Sequence, residues 1–123
     1  MKKPVAAPGL THLRVTLSDS FYVGPGRADL LEGIAETGSI SAAGKRMDMS
    51  YKRAWSLVQA LNDGWGTPLV ETSRGGAGQG GATLTPDGEF VLLRYRAMQA
   101  APREAIAAAV MALGKRRAMS RKK

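Results

Sequence analysis

Apolar residues change their spacing several times along the chain, and each change marks an element. Over residues 10–17, Leu13, Val15 and Leu17 alternate with His12, Arg14 and Thr16, the pattern of a strand with one wet face. Gly24-Pro25-Gly26 interrupts it. From about Arg27 the spacing becomes helical, with Leu30, Leu31, Ile34 and Ala35 on one face and Asp29, Glu32 and Glu36 on the other. Gly38 is a natural stop. Ser39 or Ser41 can cap a second helix, whose inward face is Ile40, Ala43 and Met47. After a short connection at Asp48-Met49, Ser50 is placed to cap a third. There Ala54, Leu57, Val58 and Leu61 fall at i, i+3, i+4 and i+7, and Asn62-Asp63-Gly64 reads as the end.

Beyond this point the pattern turns extended. Residues 69–72 read as a short strand, residues 75–81 hold five glycines, and residues 82–85 resume an extended pattern. Two short strands around a glycine-rich loop make a hairpin. Thr85-Pro86-Asp87 opens another helix, with a cap, a proline at the first helical position and an acid in the first turn. Phe90, Leu93 and Ala97 line one face, with Val91, Tyr95 and Met98 adjoining. Pro102 removes a backbone donor, so the spacing predicts an end near Ala101 and a second, alanine-rich helix over residues 103–113. Residues 1–9 read as a flexible arm and residues 115–123 as a disordered basic tail. The order predicts an α+β, mainly α fold: a winged helix-turn-helix over residues 10–114, with an N-terminal strand, a β-hairpin wing and a trailing helix pair.

Composition narrows the function classes. The 123 residues are one domain's worth and include no cysteine, which excludes a disulfide scaffold and thiolate metal sites. The longest apolar run, residues 105–113, is far short of the ~20 residues of a spanning helix, and no segment of signal-peptide length follows the start. A cytoplasmic protein without a membrane anchor is expected. One histidine and ten acids give no hydrolytic or metal centre, so neither enzyme activity nor a cofactor nor a metal is expected. The net charge of +8 sits in the tails: Lys2, Lys3, Lys115, Arg116, Arg117, Arg121, Lys122 and Lys123 have no acid among them. The remaining ten cations match the ten acids. A polyanion partner fits such a balance, as does a merely solubilising tail.

The chemistry concentrates in residues 39–61. Two short helices joined by a tight turn can cross steeply only where their contact is made of small side chains. Ala42, Ala43 and Gly44 supply these on one helix and Ala54 on the other, with Met47, Met49 and Val58 plugging the corner. The third helix then presents Tyr51, Lys52, Ser56 and Gln59 outward, with Lys52 and Arg53 at the end that a recognition helix points at base edges and phosphates. Backbone amides near Ser41 or Ser50 could receive a phosphate. In the wing, Arg74 at the base and Gln79 near the tip can reach a minor groove or its flanking phosphates. Gly76, Gly78 and Gly81 match G-x-G-x-x-G, but a dinucleotide site needs a helix to open at the glycines, and here a strand follows. Residues 75–80 have P-loop spacing, yet Gly81-Ala82 stands where Lys-Ser/Thr is required.

Other residues read more plainly. Trp55 lies between faces and is expected half-buried, and Trp65 is expected in a turn, packed over the hairpin. His12 is read as a surface residue, Asp87 and Glu89 as helix-terminal charges, and Met98 and Met111 as core or dimer seam.

Gly38-Ser39-Ile40-Ser41, Met49-Ser50-Tyr51-Lys52-Arg53-Ala54-Trp55, the run Leu69-Val70-Glu71-Thr72-Ser73-Arg74-Gly75-Gly76 and Gly80-Gly81-Ala82-Thr83-Leu84-Thr85 together resemble the N-terminal DNA-binding domain of the molybdate-responsive regulator (ModE) family, a relative of the LysR-type winged helix. The resemblance spans about residues 10–101. It implies a homodimer on a near-palindromic duplex DNA operator, with the long helix and first strand region pairing subunits and the trailing helices serving dimerisation. It makes Tyr51, Lys52, Arg53 and Ser56 major-groove candidates and Arg74 and Gln79 wing contacts. Full-length members continue into molybdate- or tungstate-binding domains; the chain stops at Lys123, so no small-molecule sensor domain is expected in it. Two other classes stay open from the residues: a protein-interaction adaptor on the same scaffold, and a small oxyanion-binding protein using glycine-loop amides as an anion nest.

Overall fold

The computed structural model describes residues 9–74 and 80–121, the side chain of Arg74 excepted. A short N-terminal hairpin pairs β1 (Val15–Ser18) with β2 (Phe21–Val23), Thr16 opposite Tyr22, with a register shift between Thr16 and Ser18. Then come α1 (Pro25–Thr37), α2 (Ile40–Arg46) and α3 (Tyr51–Trp65). A second antiparallel hairpin of β3 (Val70–Arg74) and β4 (Gly80–Leu84) runs from Val70 opposite Leu84 to Arg74 opposite Gly80. The last element, α4 (Pro86–Arg121), is one helix of 36 residues, or roughly 54 Å.

The mainly helical winged helix-turn-helix is built around α1. Leu30, Leu31 and Ile34 of α1 are fully buried and share one core with Val58 and Leu61 of α3, Leu69, and Tyr95 of α4. Each such aliphatic side chain contributes about 1.5–3 kcal/mol by leaving water. Small residues set how close the helices come: a Cβ on Gly33 would lie 3.0 Å from the Cβ of Ala43 on α2. Polar ties fix the other elements. Arg96 on α4 donates to Asp29 at 2.9 Å and to Glu32 at 2.9 Å on α1, and to the buried Gln99. Burial opposes its charge, but the two carboxylates outweigh it and hold the guanidinium above its ordinary pKa. The Ala82 N–H donates to the Gly38 carbonyl at 2.9 Å, pinning the wing to the end of α1.

Several elements differ from the pattern-based expectation. The first strand begins at Val15 rather than residue 10, and its partner β2 was not foreseen, because three residues carry too little periodicity to register. Leu17, expected inward, is 65% exposed. On α1, Ala35 is exposed and Ala28 and Gly33 take inward places. Asn62-Asp63-Gly64 does not end α3; the helix reaches Trp65 because Gly66, at φ 104°, takes the left-handed cap. Trp65 is therefore helical. Its ring meets Phe21 of the N-terminal hairpin at 5.3 Å and its Nε1 donates to Asp87.

The largest correction concerns the C-terminal part. Pro102 lies inside α4 and does not break it, and residues 115–121 of the expected disordered tail are helical. Proline forfeits one backbone hydrogen bond, but Ala100, Ala101, Ala105, Ala107, Ala108 and Ala109 around it are the best helix formers, and the segment is exposed enough to bend locally. The inward face of α4 is also rotated: Gly88, Val91, Tyr95 and Gln99 point to the core, leaving Phe90 and Leu93 54% and 71% exposed.

Candidate nucleic-acid interface

The corner between α2 and α3 is built by small residues and one strained turn. A Cβ on Gly44 would stand 3.0 Å from the Cβ of Ala54, so the two helices touch almost backbone to backbone. The N–H groups of Met47 and Met49 both donate to the Gly44 carbonyl at 3.0 Å. Asp48 turns the chain with a φ of 55°, a left-handed conformation that aspartate tolerates better than most residues. Met47 and Met49 pack against the core beside this corner. Each helix start is then capped. Ser39, rather than Ser41, accepts from the Ala42 N–H at 3.0 Å, and Ser50 accepts from the Arg53 N–H at 3.1 Å.

With Ala54, Val58 and Leu61 buried, α3 shows its opposite side to solvent. Tyr51 (58% exposed), Lys52, Ser56 and Gln59 lie exposed there, and Ser41 is exposed at the start of α2. Trp55 is half-buried against the core, as its position between faces predicts. No ion pair among the described residues involves Lys52 or Arg53. Arg53 diverges from Lys52: it is exposed but lines a cleft on the flank of α3 with His12, Arg14, Tyr22 and Arg27.

The wing stands beside this helix because Asn62 holds it there. Its Oδ1 accepts from the N–H groups of Leu69 at 2.8 Å and Val70 at 3.1 Å, and its Nδ2 donates to the Val70 carbonyl at 3.1 Å. Thr85 closes the far side, accepting from the Gly88 N–H at 3.0 Å as the cap of α4. Arg74 ends β3 opposite Gly80. Gln79, Gly76, Gly78 and the expected amide nest of the glycine loop lie outside the described residues. Gly81 lies within β4 and α4 opens only at Pro86, so no helix begins at Gly81, as a dinucleotide site would require.

Pattern reasoning missed three cleft residues. Arg14 immediately precedes β1, whose partner strand has no readable pattern, so its approach to Tyr22 is invisible in the sequence; Arg27 reads only as the start of a helix. The alternation of Arg14 with Leu13 and Val15 was the one usable signal. His12 is exposed, as expected. Among the described residues no helix is long and apolar enough to cross a membrane, and no acid or histidine cluster could hold a metal ion.

Comparison with known proteins agrees with this geometry. The model of the bacterial regulatory helix-turn-helix proteins of the lysR family matches residues 27–89. The molybdenum-pterin-binding protein MopB of Rhodobacter capsulatus is 46% identical over 78 residues, 63% of this chain and 29% of that protein. The DNA-binding transcriptional dual regulator ModE of Escherichia coli K12 is 39% identical over 83 residues, 68% of this chain and 32% of that protein. The chain thus spans about a third of the length of these curated relatives. Among solved structures, the CbnR_DBD–DNA complex superposes with a TM-score of 0.53 at 28% identity, covering 70% of this chain and 94% of that one. A LysR family transcriptional regulator, VV2_1132, shares the fold at a TM-score of 0.52 and 23% identity, covering 68% and 28%. With half its length matched by the family model and the corner, caps and wing in place, the chain belongs to the lysR family of bacterial regulatory helix-turn-helix proteins.

Proposed function

We propose that the protein is a sequence-specific duplex-DNA-binding transcriptional regulator that works as a homodimer in the cytoplasm, without enzymatic activity, on genes connected with molybdenum. The observation that carries this reading is the exposed, capped N-terminal half of α3, where Tyr51, Lys52, Ser56 and Gln59 share the face opposite the core. An N-terminal end of this kind enters a major groove and reads base edges. In this reading Lys52 faces bases and Arg53 a phosphate, the amides at Ser50 and Ser41 lie near the backbone, and Arg74 and Gln79 serve the wing. The names of ModE and MopB support the molybdenum connection. The exposed apolar side chains Phe90, Leu93 and Met98 on α4 with Leu17 on β1 support pairing through a second copy. Selection of bound duplexes from a random pool at fixed salt tests the proposal. A converged, two-fold-symmetric sequence with half-sites about one helical turn apart is expected; no convergence would contradict it and favour an adaptor role.

A further inference from the structure

The cleft on the flank of α3 has a composition that the fold does not require. Its volume is about 240 Å³, far more than the about 10–15 Å³ that a single water needs. Arg14, Arg27, Arg53 and His12 line it, and no carboxylate does. Arg14 and Arg27 hold their guanidinium carbons over the Tyr22 ring, 3.6 and 3.9 Å from its centroid. Arg27 also donates from Nη1 to the Tyr22 carbonyl at 3.2 Å. Two like charges are thus gathered on one ring, which fixes their positions, and neither belongs to an ion pair among the described residues. Arg27 Nε is buried and has no hydrogen-bond partner; it is the sole such side-chain atom found among the described residues. The floor adds to the field. Gly24 caps α1 without a side chain that could accept from the Gly26 and Arg27 amides, and no acid stands in the first turn.

We propose that this cleft is a binding site for one tetrahedral oxyanion of the phosphate class, held between Arg27 and Arg53. A guanidinium offers paired donors that match two oxygens of such an anion, and the anion would neutralise the arginine cluster. Two sources share this chemistry: a backbone phosphate of duplex DNA beside α3, or a free oxyanion. The first source rests on the function proposed above; the second does not.

Both are tested on the full chain. Inorganic phosphate is titrated at low salt while the arginine Nε–Hε resonances are followed by NMR, for the wild type, Arg27→Gln and Arg53→Gln. A saturable shift of the Arg27 signal is expected, weakened about tenfold or more by Arg53→Gln. Arg53→Gln, at an exposed position, keeps the test open should Arg27→Gln unfold. The salt dependence of duplex binding is then measured. If the anion is a DNA phosphate, each single variant flattens the slope of log affinity against log salt by about 0.9, equally on selected and unrelated sequences. The double variant flattens it no further, because both arginines hold the same phosphate. A saturable titration with unchanged slopes assigns the site to a free oxyanion. The site is overturned if phosphate gives no saturable shift and the slope losses are absent or additive. A wild type that binds no duplex at all would sink the regulator reading, while the phosphate titration would still decide this one.

Discussion

At the scale of single residues, the polar side chains that matter are those that replace water for a buried backbone group. Tyr95 is fully buried on α4, and its hydroxyl donates to the Leu13 carbonyl at 2.6 Å, tying the N-terminal segment to the last helix. Burial raises its pKa above the ordinary tyrosine value, against the nearby Arg96 charge. Because the folded state holds the proton more tightly than the unfolded one, Tyr95 lends stability below about pH 10 that is lost as pH climbs from there through its raised folded pKa. Tyr95→Phe should cost about 1–3 kcal/mol at neutral pH by leaving the Leu13 carbonyl unpaired. The variant's stability should also fall less steeply above about pH 10 in urea melts; an equal alkaline decline would contradict the assignment. Asn62 teaches the same lesson about legibility. Asn-Asp-Gly is the usual string of a helix end, but here the amide is occupied by the backbone of β3, a partner eight residues away that no local pattern announces.

At the scale of elements, the helix-turn-helix corner was legible because it is local: small residues at 42–44 and 54, serines at 39 and 50, and a polar turn between them. A Cβ added at Gly44 would stand only 3.0 Å from the Cβ of Ala54, in agreement with that arithmetic. Gly44→Val should destabilise the domain by about 1–3 kcal/mol through overpacking, read in thermal melts, and an added Ala54→Gly should recover part of it. No loss in the single variant would mean that the corner is looser than described. The N-terminal hairpin and the C-terminal helix were less legible. A three-residue strand has no period to read, and the effect of a proline depends on its neighbours as much as on its own ring. Pro102→Ala restores one backbone hydrogen bond and should stabilise the distal half of α4 by up to about 3 kcal/mol. Slower amide exchange over residues 103–113 is the expected sign, and unchanged exchange would contradict a continuous helix.

At the scale of the whole molecule, one face carries cations and another carries uncovered apolar side chains. Around α3 stand Lys52, Arg53 and the arginine cleft. On α4 the expected inward residues Phe90 and Leu93 turn outward instead, and Phe90 with Leu17 and Met98 borders an apolar cleft of about 120 Å³ that Val15, Phe21 and Trp65 help to line. An apolar rim of this kind is the surface through which the proposed homodimer would pair. Leu93, 71% exposed, touches no core. Leu93→Asp should leave the melting temperature of the monomer unchanged, shift sedimentation from dimer to monomer and lower duplex affinity; a dimer that survives it would move the seam elsewhere. Whether α3 reads sequence is decided by measuring Lys52→Ala on the selected duplex and on its single-base-pair substitutions at one salt concentration. A loss of about 1–3 kcal/mol on the selected sequence and a relaxed preference at a single base pair are expected. An equal loss on every sequence, or none, would contradict sequence reading by α3.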